Sequence, residues 1–223
     1  MILLAFETAS PSGGVALLRD GAVVGEARLD GAPSHSRECL AAAEALLSHN
    51  GLAWRDVDAL AASHGPGAFT GVRVGLAIVK GLAWSLARSC ITVSSLEALA
   101  TPAASGLVVP VLDARVGEVY FAIFSHCPAG LVRETADSCD SPDALSGLLV
   151  GRRAIFRGEG ARRYFDSHLA GLGELDGTDA LFPTPAATGA LAWKAFQRGE
   201  AIPPDRVAAV YLRDATTPRL PAK

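Results

Sequence analysis

The sequence has no surplus of positive charge: 20 Lys and Arg stand against 23 Asp and Glu, a net charge of −3. A protein that binds nucleic acid by itself usually carries a basic patch, so independent binding of that kind is not expected. Cysteine is sparse, and Cys39, Cys90, Cys127 and Cys139 form no Cys-x-x-Cys pair, so they read as reduced thiols. The segment Met1-Ile2-Leu3-Leu4-Ala5-Phe6-Glu7 has no basic stretch and reaches an acid too early for a secretory leader. A cytoplasmic protein is expected. No two of His35, His49, His64, His126 and His168 share a helix face as a metal pair would, so no metal site is expected. No nucleophile elbow surrounds Ser63, Ser94, Ser95 or Cys39, which argues against a peptidase.

Against these absences stand a hydrophobic content of 50% and a positive mean hydropathy of +0.29. The stretch Ser63-His64-Gly65-Pro66-Gly67-Ala68-Phe69-Thr70-Gly71-Val72-Arg73-Val74-Gly75 follows an apolar run and opens a helix to about Arg88. Gly65 and Gly67 free the turn, and Thr70 is the expected N-cap. A strand, a glycine turn and a helix N-terminus suit an anion. The spacing Gly-x-Gly-x-x-x-Gly is one residue longer than the dinucleotide fingerprint, and no Gly-Lys-Ser/Thr follows. This is therefore neither a Rossmann turn nor a Walker loop, and a tight turn that binds nothing remains the alternative. Between Val72 and Arg88 the only charges are Arg73, Lys80 and Arg88. A helix so apolar is buried on more than one side, by the chain's own sheet and by a further element or partner. Lys80 and a length under ~20 residues argue against a membrane span.

In order, Ile2 to Phe6 reads as a buried strand, Val15 to Leu18 as a second, and Asp20-Gly21 as a hairpin turn into a third over 22–29. A helix entered through Pro33-Ser34 runs from His35 to His49 and closes at Asn50-Gly51. The strand before the glycine segment and the helix after it complete a βββαβα order. Ile91 to Val93 is a short strand, and Ser94-Ser95-Leu96-Glu97 is a capping box for a helix ending near Ala104. Then Val108 to Leu112, the acid Asp113 and a strand from Val119 to Phe124 repeat the opening pattern, with Glu7 and Asp113 in matching places. Two lobes are expected, 1–104 and 105–223. Ser141-Pro142 caps a short helix, Ala154 to Phe156 is a strand, Gly158-Glu159-Gly160 opens a helix, and Thr184-Pro185 opens another through Phe196. Residues 166–182 show no clear period.

Several of these segments together resemble the TsaB family, also called YeaZ. They are Ile-Leu-Leu-Ala-Phe-Glu-Thr-Ala-Ser at the start, the Gly65-to-Gly75 stretch, Lys80-Gly81-Leu82-Ala83, Ser94-Ser95-Leu96-Glu97, Asp113-Ala114-Arg115-x-Gly117-Glu118-Val119-Tyr120 and Tyr211-Leu212-Arg213. The resemblance spans nearly the whole chain with the motifs in order. It implies an α/β protein with the two-lobed, ribonuclease H-like fold of actin, Hsp70 and the sugar kinases, duplicated as βββαβα. It also implies a bacterial accessory subunit that performs no transfer itself. Such a subunit pairs with the catalytic TsaD and works with the ATPase TsaE, moving threonylcarbamoyl to N6 of adenosine 37 in tRNA. The family pairs through helices of the first lobe, here 34–50 and 70–88, which places Leu40, Ala43, Leu47, Val72, Gly75 and Val79 at the interface. A homodimer is implied when the chain is alone, with tRNA met through the complex.

The resemblance requires no cofactor, and leaves ATP or ADP at the complex interface as an open question. The competing reading is a nucleotide-binding ATPase or small-molecule kinase using Glu7, Thr8, Gly65, Gly67 and Thr70. In kinases of this fold an aspartate in the first hairpin holds magnesium, and the family usually has Asp where this chain has Glu7. The extra methylene displaces the carboxylate, which near-octahedral magnesium tolerates poorly. Asp113, with Arg115 two residues on, is as well suited to an ion pair as to a metal. His35 reads as structural or interfacial, and His64 as hydrogen-bonded within its turn.

Overall fold

The computed structural model describes residues 1–30, 35–101, 106–128, 130–178 and 180–212. Pro33-Ser34 and the expected lobe boundary at 103–105 lie outside them. The chain divides into two compact units, the first holding Met1–Ala98 with Pro183–Val210 and the second holding Leu99–Phe182.

In the first unit β1 (Ile2–Glu7), β2 (Ser12–Arg19), β3 (Ala22–Asp30), β4 (Ala59–Ser63) and β5 (Ser89–Val93) form one sheet in the order β3-β2-β1-β4-β5. The β1–β2 and β2–β3 pairs are antiparallel, while β1–β4 and β4–β5 are parallel. Asp20 and Gly21 both have positive φ (50° and 84°) at the expected hairpin turn, as a two-residue connection requires. The continuous apolar run of β1 is explained by cover on both faces. Ile2, Leu4 and Phe6 meet Cys39, Ala43 and Leu47 of α1 (His35–His49) and Val72, Leu76, Val79 and Ala83 of α2 (Phe69–Leu86). Leu3 and Ala5 point the other way, onto a later helix that carries Ala187, Leu191, Ala192 and Ala195. Alternation with a period of two thus feeds two cores from one strand.

α2 closes with Ala87 in the left-handed conformation (φ 54°), and Arg88 N–H returns to the Ala83 carbonyl. By length and composition α2 could cross a membrane. Its inner face lies in the core, however, and Lys80 Nζ donates to the Val207 carbonyl at 3.2 Å. α3 (Ser95–Ala100) begins at the expected cap, where Ser94 Oγ accepts from Glu97 N–H at 3.2 Å.

The second unit repeats the plan. Its strands are β6 (Gly106–Arg115), β7 (Glu118–Phe121), β8 (Phe124–Cys127), β9 (Gly130–Arg133), β10 (Ser138–Asp140), β11 (Ala154–Arg157) and β12 (Gly173–Leu175). The order β10-β7-β6-β11-β12 carries the same alternation of two antiparallel and two parallel pairs. Helices α4 (Pro142–Leu148) and α5 (Glu159–Tyr164) fill the connections that α1 and α2 fill in the first unit. The duplicated βββαβα order is therefore present, with a β8–β9 hairpin added. The single strand expected over 119–124 is broken at the buried Ala122 and Ile123. Between 165 and 175 the chain makes a π turn, a 3-10 turn and β12, elements too short to show a period.

One assignment differs from two contiguous lobes. Helix α6 (Pro185–Gln197), capped by Thr184 Oγ1 accepting from Ala187 N–H at 3.1 Å, belongs with the first sheet. Its apolar face covers the side of β1 that α1 and α2 leave open. The chain then continues along β5, where Cys90 and Ile202 exchange two backbone hydrogen bonds of 2.8 Å.

Candidate functional site

Glu7 ends β1 and Ser63 ends the parallel neighbour β4. By the same period of two as Leu3 and Ala5, both fall on the face covered by α6. The Glu7 carboxylate is wholly buried. Its Oε1 accepts from Ala9 N–H at 2.9 Å and from Ser63 Oγ at 2.9 Å, and its Oε2 accepts from Thr188 Oγ1 on α6 at 2.9 Å. Burial pushes its pKa up to about 7, opposed by the hydrogen bonds from Ala9, Thr188 and Ser63. The extra methylene that distinguishes Glu7 from an aspartate is thus used to reach β4 and α6.

The glycine segment lies against the first turn of the chain. Thr8 Oγ1 donates to the Gly71 carbonyl at 2.8 Å, and Ala68 N–H donates to the Ala9 carbonyl at 2.7 Å. A methyl group at Gly67 would overlap the Ala9 carbonyl, one at Gly71 the Thr8 carbonyl, and one at Gly75 the Thr8 hydroxyl. The close approach that these glycines permit is therefore made by Thr8 and Ala9 themselves. Gly65 (φ 104°) needs a residue without Cβ, and its carbonyl accepts from Ser95 N–H at 2.8 Å. Gly67 thus lies against the turn that follows Glu7, and the Glu7 carboxylate and the Thr8 hydroxyl are already engaged. Thr70 is not the N-cap. The cap falls two residues earlier, at Ala68, which makes no side-chain cap bond; α2 starts at Phe69, and Thr70 is exposed.

The six expected interface residues divide unequally. Ala43, Leu47, Val72, Gly75 and Val79 are buried, facing the chain's own sheet, and only Leu40 reaches the surface, at 38% exposure. The outward face of α2 is instead Phe69, Arg73, Ala77, Gly81 and Trp84, all exposed, with Phe69 at 55% and Trp84 at 70%. These positions recur every three or four residues, so they form one stripe. Arg73 lies over the Phe69 ring, 3.6 Å from its centroid. The signal that could have found this stripe was the two aromatic residues, since a helix of Val, Leu, Ala and Gly otherwise gives no preferred side. Thr188 had no local signal at all, lying 181 residues from Glu7.

In the second unit Asp113 occupies the place of Glu7. Its Oδ2 accepts from Arg163 at 2.6 Å, its Oδ1 from Arg115 N–H at 3.1 Å, and its own N–H donates to Glu159 Oε1 at 2.8 Å. The ion pair is thus with Arg163 on α5 rather than with the Arg115 side chain. Burial raises the Glu159 pKa, against the lowering effect of the Asp113 N–H. Among the described residues no three His, Cys, Asp or Glu side chains gather as a metal site. His64 is held through its backbone, its N–H donating to the Val93 carbonyl at 2.9 Å and its carbonyl accepting from Val210 N–H at 3.0 Å.

Comparison with known proteins adds a second line. The family model described as TsaD, tRNA N6-adenosine threonylcarbamoyltransferase, matches residues 30–167. The tRNA threonylcarbamoyladenosine biosynthesis protein TsaB of Escherichia coli (strain K12) is 30% identical, with 100% of each chain covered. The TsaB protein of Bacillus subtilis (strain 168) is 38% identical over a match that covers 56% of either chain. The solved structure of YeaZ from Pseudomonas aeruginosa superposes with a TM-score of 0.85 at 29% identity, covering 95% of this chain and 99% of that one.

Proposed function

Because this chain belongs to the TsaB (YeaZ) family of tRNA threonylcarbamoyladenosine biosynthesis proteins, we propose that it serves that pathway as a non-catalytic subunit pairing with a TsaD-type threonylcarbamoyltransferase. The observation that carries the pairing is the outer stripe of α2. Two aromatic side chains, Phe69 and Trp84, stand exposed at its two ends, with Ala77 and Gly81 between them. Small residues at the middle let a second helix approach closely, and aromatic residues are the usual anchors of an interface. Leu40 on α1 is a further exposed apolar side chain that this reading assigns to the interface. A non-catalytic role accords with a Glu7 carboxylate closed off inside the unit and with glycines occupied by Thr8 and Ala9.

The chain uses the stripe for itself when alone, as a homodimer, and gives it to the TsaD-type partner when that is present. TsaE and tRNA join through the assembly in the cytoplasm. The net acidic charge assigns most phosphate contacts to the partners. No cofactor is needed for pairing, and any ATP or ADP lies at the complex interface rather than against Glu7.

Co-purification tests the reading. Phe69→Asp and Trp84→Asp are expected to leave the chain folded and to weaken capture of the TsaD-type enzyme by about 2 kcal/mol or more each. Undiminished capture by both variants would place the interface elsewhere.

A further inference from the structure

The segment 183–210 returns to the first unit, fastened at one end to Glu7, which Ser63 also meets, and at the other to His64. At the near end Ser63 Oγ and Thr188 Oγ1 each donate to the Glu7 carboxylate at 2.9 Å. At the far end Val210 N–H donates to the His64 carbonyl at 3.0 Å. In between, Lys80 holds the Val207 carbonyl and Cys90 pairs with Ile202.

Among the described residues, the groups that hydrogen-bond the Glu7 carboxylate are neutral. The first turn presents Thr8 and Ala9, β2 presents Gly14 across the pair, β4 presents Ser63, α6 presents Thr188, and α2 presents Gly71 and Gly75 against that turn. From α1 the buried Cys39 feels the Glu7 charge, and its own thiol is pushed up to about 11, chiefly by burial, so it stays protonated. Among the described residues no cation pairs with Glu7. A wholly buried carboxylate with no cation beside it is costly to keep charged, and neutral donors offset only part of that cost.

We propose that Glu7, Ser63 and Thr188 form a proton-operated fastening for the returning segment, tight when the carboxyl carries a proton and weakened when it is ionised. The heavy atoms need not move. In the ionised form Thr188 donates to Oε2. On taking a proton from water, Oε2 donates to Thr188 Oγ1 across the same 2.9 Å, and the Thr188 hydroxyl hydrogen turns away from the carboxyl.

The direction of the Glu7 shift, upward from 4.5 to about 7, accords with this geometry. A carboxyl raised on folding contributes stability that is complete below its unfolded pKa and is lost as pH rises through the folded one. The window therefore runs from about pH 4.5 to about 7.

The test uses the full chain without partners, so it is independent of the pairing proposed above. Urea unfolding is compared at several pH values between about 5 and 8 for the wild type and Glu7→Gln, whose amide reproduces the protonated pattern. The ratio of the two folding constants is expected to fall on the order of a hundredfold across that range. A ratio independent of pH would overturn the proposal. Should Glu7→Gln not fold, Thr188→Val serves instead. It removes the hydroxyl that both forms use at Oε2, so amide exchange in α6 and at Val210 quickens relative to β1, while the window, set chiefly by the burial of Glu7, persists. Unchanged exchange, or a stability independent of pH over that window, would equally overturn it.

Discussion

The two units share a strand order and pair directions, yet they treat the acid at the end of their first strand in opposite ways. Glu7 is sealed in and held by neutral donors, whereas Asp113 takes Arg163, whose side chain is 59% exposed. The glycine turns at the start of the second crossover helix behave alike. Gly67 and Gly71 admit the Thr8–Ala9 backbone, and Gly158 and Gly160 admit the backbone of Val111 and Leu112. In both units the turn after the fourth strand is shaped by the chain that must pass beside it. What distinguishes the units is the helix that follows, of 18 residues in α2 and six in α5. The longer helix carries an aromatic stripe outward, and the shorter one carries Arg162 and Arg163. The same plan thus supplies one surface suited to pairing and one that is polar.

Substitutions sharpen the contrast between inner and outer faces first. Val79→Asp places an unpaired charge in the core and is expected to cost about 4 kcal/mol, whereas Trp84→Asp should stay within about 0.5 kcal/mol in the isolated chain. Urea titration of the two side by side checks this, and equal losses would mean that the α2 faces are misassigned.

The likeness of the two glycine turns predicts a smaller, matched effect. Gly71→Ala and Gly160→Ala should each cost about 3 kcal/mol, since the added methyl meets backbone that cannot swing aside. A thermal melt in which Gly71→Ala matched the wild type would show that Thr8 does not close that turn.

The least effect belongs to the second acid. Asp113→Asn should cost less than about 1 kcal/mol, and the loss should shrink in high salt because Arg163 is exposed. A large loss insensitive to salt would make Asp113 a second buried fastening like Glu7 and erase the difference between the units.

Much of this arrangement was legible because its signals are local. Asp20-Gly21, Ser94 with Glu97, Ser141-Pro142 and Thr184-Pro185 each satisfy backbone groups within a few residues, so their turns and caps fell where the sequence put them. The inner and outer faces of α1 and α2 were hard to tell apart, since apolar residues fill most of each circumference. Leu47 and Val79 read as partner contacts for that reason and proved to be core. The return of α6 to the first sheet, and with it the Thr188 bond, depends on contacts far apart in sequence that no local pattern encodes. The N-terminus of α2 was misplaced at Thr70 because the Ala68 N–H finds its partner across the turn, at Ala9, rather than in a neighbouring side chain.

The most direct measurement is tRNA threonylcarbamoylation by the organism's own TsaD-type enzyme, with this chain absent, present, or present as the Phe69→Asp, Trp84→Asp double variant. Activity that requires the wild-type chain, fails with the variant, and is never shown by the chain alone is the predicted result. Modification of tRNA or turnover of ATP by the isolated chain, lost on Glu7→Ala, would contradict it and make the closed carboxylate an active group.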